Sequence, residues 1–154
     1  MKNVSRSSKY ALLAAAFALV TGCASMGGDV ALRMTGAEEV PPVSTSASGT
    51  GSIRVADDRS VSGSFKTQGG PFTAAHIHEA AMGQNGPVII PLQKTGDNEW
   101  SVPANAKLTE AQYESFKAGR LYVNFHSAKF KGGEIRSQIR HDGGGRGGAS
   151  KGGY

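Results

Sequence analysis

Four histidines, His76, His78, His126 and His141, carry most of the chemistry that this sequence of 154 residues offers. His76 and His78 stand two apart in Ala74-Ala75-His76-Ile77-His78. Side chains alternate along a strand, so both imidazoles point one way while Ala75 and Ile77 point the other, into a core. Leu121-Tyr122-Val123-Asn124-Phe125-His126 repeats the pattern, with His126 on the side away from Leu121, Val123 and Phe125. If the two strands are neighbours, three imidazoles converge and can chelate one metal ion. A lone His-x-His strand is commonly no more than an exposed polar face. The third histidine, at a matching strand position, is what makes a ligand set of it. His141, at the head of a glycine tail, is expected to be solvent-exposed.

Three neutral imidazoles without a cysteine suit copper or zinc, and the affinity order of the divalent ions places copper ahead. Met82, in a glycine-rich loop after His78, offers an optional thioether ligand that would favour Cu(I); Met34 is the other methionine in question. Glu79 and Glu134 are candidate acceptors for an imidazole N–H, a contact that would fix the tautomer of the ring. Other catalytic arrangements find little support. Ser127 follows His126 directly, and neighbours in a strand face opposite ways. Gly49-Thr50-Gly51 lacks the Lys-Ser/Thr and the following helix of a phosphate-binding loop. The carboxylates form no isolated pair. Arg136 reads as a surface residue of its strand.

Positioning these residues falls to strands. Ile53 and Val55 alternate with Arg54, Val61 and Phe65 share a face, and Ile135 and Ile139 alternate with Glu134, Arg136, Gln138 and Arg140. Val88-Ile89-Ile90 is a continuous apolar run, expected to be a strand covered on both faces. Turn residues recur at Pro41-Pro42, Asp57-Asp58, Gly69-Gly70-Pro71, Gly86-Pro87, Gly96-Asp97-Asn98 and Gly132-Gly133. Many short strands with regular turns predict a mainly β fold, a sandwich or a barrel. One helix is expected over Thr109 to Ala118. Thr109 and Gln112 form a capping box, Leu108 can staple to Tyr113, and Gly119 ends it.

The ends of the chain suggest an address. Lys2, Arg6 and Lys9 precede an apolar run from Tyr10 to Val20, the layout of a secretory signal peptide. That run is too short to span a bilayer, which takes roughly 20 apolar residues. Val20-Thr21-Gly22-Cys23 resembles a bacterial lipobox. The resemblance implies cleavage after residue 22 and acylation of Cys23, giving an exported, membrane-anchored protein. Ala24 after the cysteine, rather than Asp, points to the outer membrane, facing the periplasm. Cys23 is the only cysteine, so an intramolecular disulfide is excluded and no thiolate remains for chemistry. Residues 23–29 then form a tether and residues 30–140 the domain. Residues 141–154, with seven glycines, form a tail expected to be disordered. The formal charge is +5 from 17 Lys and Arg against 12 Asp and Glu; losing three basic leader residues leaves 14 against 12, or +2. A near-neutral domain without a basic stripe is no footprint for nucleic acid.

Several stretches together resemble the chordin-type (CHRD) domain. They are Gly36-Ala37-Glu38-Glu39-Val40-Pro41-Pro42-Val43, Ala74 to His78 with Asn85-Gly86-Pro87-Val88, and Leu121 to His126 with Gly133-Glu134-Ile135-Arg136-Ser137-Gln138-Ile139. The resemblance runs from about Val30 to Arg140. It implies an immunoglobulin-like, Greek-key antiparallel β-sandwich, with the family's motif histidines falling on His76, His78 and His126. Locally, His76-Ile77-His78-Glu79 is similar to the copper-ligand strand of copper/zinc superoxide dismutases. In that likeness His126 is a later copper ligand and Arg136 the cation that draws in superoxide. The histidine that would bridge to zinc and the structural disulfide are missing. The expectation is therefore an envelope-anchored domain that binds or buffers copper through His76, His78 and His126, with Met82 optional. A copper-only dismutase using Arg136 and a metal-free adhesion or scaffolding module are the alternatives. No protein partner is indicated.

Overall fold

The structure, a computed structural model, describes residues 28–140. Cys23, the leader and the tail from His141 lie outside the described residues. The chain runs through β1 (Val30–Thr35), a 3-10 turn (Gly36–Glu38), β2 (Ser48–Val55), β3 (Val61–Gln68) and β4 (Phe72–Glu79). There follow β5 (Val88–Pro91), β6 (Gln93–Lys94), β7 (Glu99–Ser101), α1 (Glu110–Lys117), β8 (Leu121–Ser127) and β9 (Ile135–Ile139). No helix among the described residues is long and apolar enough to cross a membrane.

Local chemistry explains the regular pieces. β2 and β3 form a hairpin through Asp57-Asp58, where Asp58 Oδ1 accepts from Ser60 N at 3.0 Å and Ser60 Oγ at 2.6 Å. The helix has the predicted capping box: Thr109 Oγ1 accepts from Gln112 N at 3.2 Å, and Gln112 Oε1 accepts from Thr109 N at 2.9 Å. Two orphan donors of the first turn are thereby satisfied. Gly119, at φ +67°, ends the helix in the left-handed region that glycine tolerates.

All strand pairs are antiparallel and form one nine-stranded sheet in the order β5-β4-β8-β9-β1-β2-β3-β7-β6. Its two edges are consecutive pieces of chain. β5 pairs with β4, β6 pairs with β7, and Leu92 alone separates them. The sheet is thus rolled nearly shut, like a barrel, and is not clearly the two-sheet sandwich expected. The alternation of apolar residues reports one buried face per strand. It does not distinguish two stacked sheets from one that curls back on itself. The pairing of β5 also corrects the reading of Val88-Ile89-Ile90. Val88 is 48% exposed, Ile89 half-buried and only Ile90 buried, because a register irregularity sets Ile90 opposite buried Ile77 and Val88 opposite His78 on the other face.

The apolar core gathers around Phe125. Phe65, Phe72 and Trp100 meet its ring edge-on at centroid distances of 6.0, 5.7 and 5.7 Å. The opposite face of β4, β8 and β9 holds polar side chains, yet it is also covered. Tyr122, Asn124, Arg136 and Gln138 are all buried. Segment 36–45 and loop 80–87 supply hydrogen-bond partners to this face. The domain therefore has a polar layer behind its apolar one, and the histidines stand at its margin.

Candidate metal centre

β4 and β8 are neighbours, with His76 opposite Asn124, His78 opposite Tyr122 and Ala74 opposite His126. This register brings the three imidazoles together. His76 Nδ1 and His126 Nε2 are 3.0 Å apart, and one ligand nitrogen from each ring lies within 4.8 Å of the others. Two nitrogens on one ion at about 2.1 Å are at most about 4.2 Å apart, so a small ring rotation completes the set.

The tautomers follow from the partners. His78 Nδ1 is 2.9 Å from Gly86 O and His126 Nδ1 is 3.0 Å from Lys131 O. A carbonyl only accepts, so both Nδ1 atoms carry the proton and both Nε2 atoms present a lone pair. With the rings neutral, His76 Nδ1 then donates to His126 Nε2. His78 Nε2 is buried and has no hydrogen-bond partner. A buried lone pair aimed at two other imidazoles is what a metal ion would satisfy.

Burial pushes the pKa of all three rings below the usual histidine value. For His76 the two neighbouring imidazoles add to this, whereas the carbonyls of Gly86 and Lys131 partly oppose it for His78 and His126. The rings are thus held in the neutral form that a metal requires.

His78 is further fixed from the side. Its ring stacks on Tyr122 at 4.8 Å and 8°, and the Arg136 guanidinium lies 3.5 Å from the Tyr122 centroid. Gly86 N donates to Tyr122 Oη at 3.1 Å while Gly86 O accepts from His78, so one residue ties both rings.

The CHRD domain family matches residues 30–139, nearly all of the described chain. The chain belongs to the CHRD-domain family. No curated protein and no solved structure matches it. No match supports the likeness of His76-Ile77-His78-Glu79 to superoxide dismutases.

Within this CHRD domain the other residues singled out in the sequence are placed as follows. Glu79 Oε1 accepts from Ser115 Oγ at 2.6 Å and Glu134 Oε1 from Thr45 Oγ1 at 2.7 Å, so neither carboxylate orients an imidazole. Backbone carbonyls do that instead. Met34 is fully buried in the apolar core. Met82 is 59% exposed and its sulfur faces Arg140 Nη2 at 3.6 Å. Arg136 is not a surface residue. It is 1% exposed and donates to Gln84 O, Asn85 Oδ1 and Gln138 Oε1 at 2.9, 3.3 and 3.0 Å.

The CHRD domain also buries an acid that no strand pattern announces. Glu39 Oε2 accepts from Asn124 Nδ2 at 3.2 Å, while Glu39 Oε1 and Asn124 Oδ1 have no partner. Gly133, at φ +139°, lets the backbone pass so close that a Cβ there would stand 2.7 Å from Glu39 Oε2. Burial raises the Glu39 pKa from 4.5 to about 7, against the opposing pull of Arg136 and of the Asn124 and backbone hydrogen bonds. An acid raised on folding stays protonated in the fold while the unfolded chain ionises. Stability should therefore fall as pH rises from 4.5 to about 7. Glu39→Gln is expected to remove this contribution, worth at most roughly 1.4 kcal/mol per pH unit. Urea denaturation at several pH values checks it; parallel profiles for variant and parent would refute the assignment.

Proposed function

We propose that this CHRD domain binds or buffers copper at the cell envelope, through His76, His78 and His126. The observation that carries the reading is the convergence of three imidazoles. Two have their tautomers set by carbonyls, and one has a buried, unpartnered Nε2. Among the described residues no carboxylate or thiolate joins the group, and an all-imidazole set suits copper ahead of zinc. The envelope location rests on the lipobox-like Val20-Thr21-Gly22-Cys23. A dismutase would want a cation open to an arriving anion, and Arg136 is 1% exposed.

The test is to titrate the purified full-length protein with Cu(II) and follow it by paramagnetic resonance. One equivalent should bind with nitrogen hyperfine structure, and a His76→Ala, His78→Ala variant should lose it. Equal, weak and non-stoichiometric binding by both proteins would leave the metal-free scaffold as the better reading. Labelled palmitate incorporated by the wild type but not by Cys23→Ser checks the anchor; equal labelling of both counts against it.

A further inference from the structure

Resting on the copper reading, we infer that the site is built for the monovalent ion, Cu(I), and that Arg136, held over Tyr122, sets this preference. The three imidazoles bring no charge to the ion. The fixed charge next to them is the guanidinium, which reaches the site through a stack: Arg136 on Tyr122 at 3.5 Å, and Tyr122 on His78 at 4.8 Å. All three hydrogen-bond acceptors of Arg136, on Gln84, Asn85 and Gln138, are neutral oxygens. None of the ion pairs among the described residues includes it.

The nearby carboxylates offset it only in part. Glu79 is turned to Ser115 and Glu134 to Thr45. Glu38, exposed and screened by water, accepts from Gln138 N at 3.2 Å. Glu39, the remaining acid of this layer, has its carboxyl raised to about 7 by burial, so it carries only part of a negative charge at neutral pH. A buried positive charge about 10 Å from an ion penalises each added unit of ion charge roughly tenfold at intermediate dielectric. The penalty falls twice on Cu(II) and once on Cu(I).

Arg136 is a positioning residue here, and its charge can be offset without touching it. Asn85 is exposed, its Oδ1 lies 3.3 Å from Arg136 Nη1 and its Nδ2 donates to Val40 O at 2.7 Å, so Asn85→Asp sets a carboxylate by the guanidinium and, like Asn85→Ser, gives up the bond to Val40. Asn85→Ser removes the amide and adds no charge. The experiment measures the Cu(II)/Cu(I) midpoint potential of copper bound to full-length wild type and both variants, with circular dichroism to confirm folding. The wild type is expected to lie above the aqueous couple, which means tighter binding of Cu(I). Asn85→Asp should shift the ratio about tenfold toward Cu(II), a fall of about 59 mV for one electron, and Asn85→Ser should not. A wild-type potential at or below the aqueous couple, or equal values for the two variants, overturns the inference while leaving a copper site. Failure to bind copper in either state overturns the copper reading itself.

Discussion

Gly86→Ala is expected to weaken metal binding by roughly 10- to 100-fold and to destabilise the domain by about 1–3 kcal/mol. A Cβ at this position would overlap the Glu79 carbonyl oxygen and stand 2.8 Å from Glu79 C, both backbone atoms that no rotamer change can clear. The turn must move. With it go the acceptor for His78 Nδ1 at 2.9 Å and the donor to Tyr122 Oη at 3.1 Å. His78 then loses the partner that fixes its tautomer and its stacking platform loses its tie, although no ligand has been altered. Gly132→Ala is the matched control, since a Cβ there meets nothing within 4 Å. Copper affinity and urea midpoints of the two variants decide the matter. If both behave alike, Gly86 does not hold the site.

Phe125→Ala should cost about 3–5 kcal/mol, the range for removing a large aromatic from a packed core. Phe125 is fully buried, and three aromatic rings meet it edge-on. Such contacts add to the loss because they hold geometry as well as area. A small domain commonly has 5–15 kcal/mol in all, so this change alone should bring unfolding close to working temperatures. It also lies between Asn124 and His126 on β8, and the rings it anchors sit behind the histidine face. Equilibrium denaturation gives the value. A loss under about 1 kcal/mol would mean that the core repacks around the void and that Phe125 is no keystone.

The histidine cluster was legible in the sequence because residue type and the two-residue period carry it together. His76 and His78 must share a face of one strand, and His126 must lie on the polar side of another. The helix was legible for a similar reason, since Thr109 and Gln112 act within one turn. What could not be read were contacts made by atoms common to every residue. Gly86 O and Lys131 O orient the imidazoles, and a carbonyl leaves no signature in the sequence. Glu79 and Glu134, the acids that looked suited to that task, are held by Ser115 and Thr45.

Arg136 illustrates the second limit. A charged residue alternating with isoleucines reads as solvent-facing, and two of its acceptors come from Gln84 and Asn85, more than 50 positions away. Only the fold of loop 80–87 over β8 and β9 buries it. Segment 36–45, with Glu39 inside it, covers the same layer from the other side. Alternation marks which face is polar, and says nothing about whether that face is wet.

The split strand from Val88 to Lys94 has a consequence for how copies of this domain behave together. An open sheet ends in rows of unpaired N–H and C=O groups that invite another chain to add a strand. Here the two edges are four and two residues long, and Pro91, which has no N–H to give, sits beside their junction. Neither edge is long enough to template a strand from a second molecule. Copies of the domain would therefore offer one another little edge to pair with.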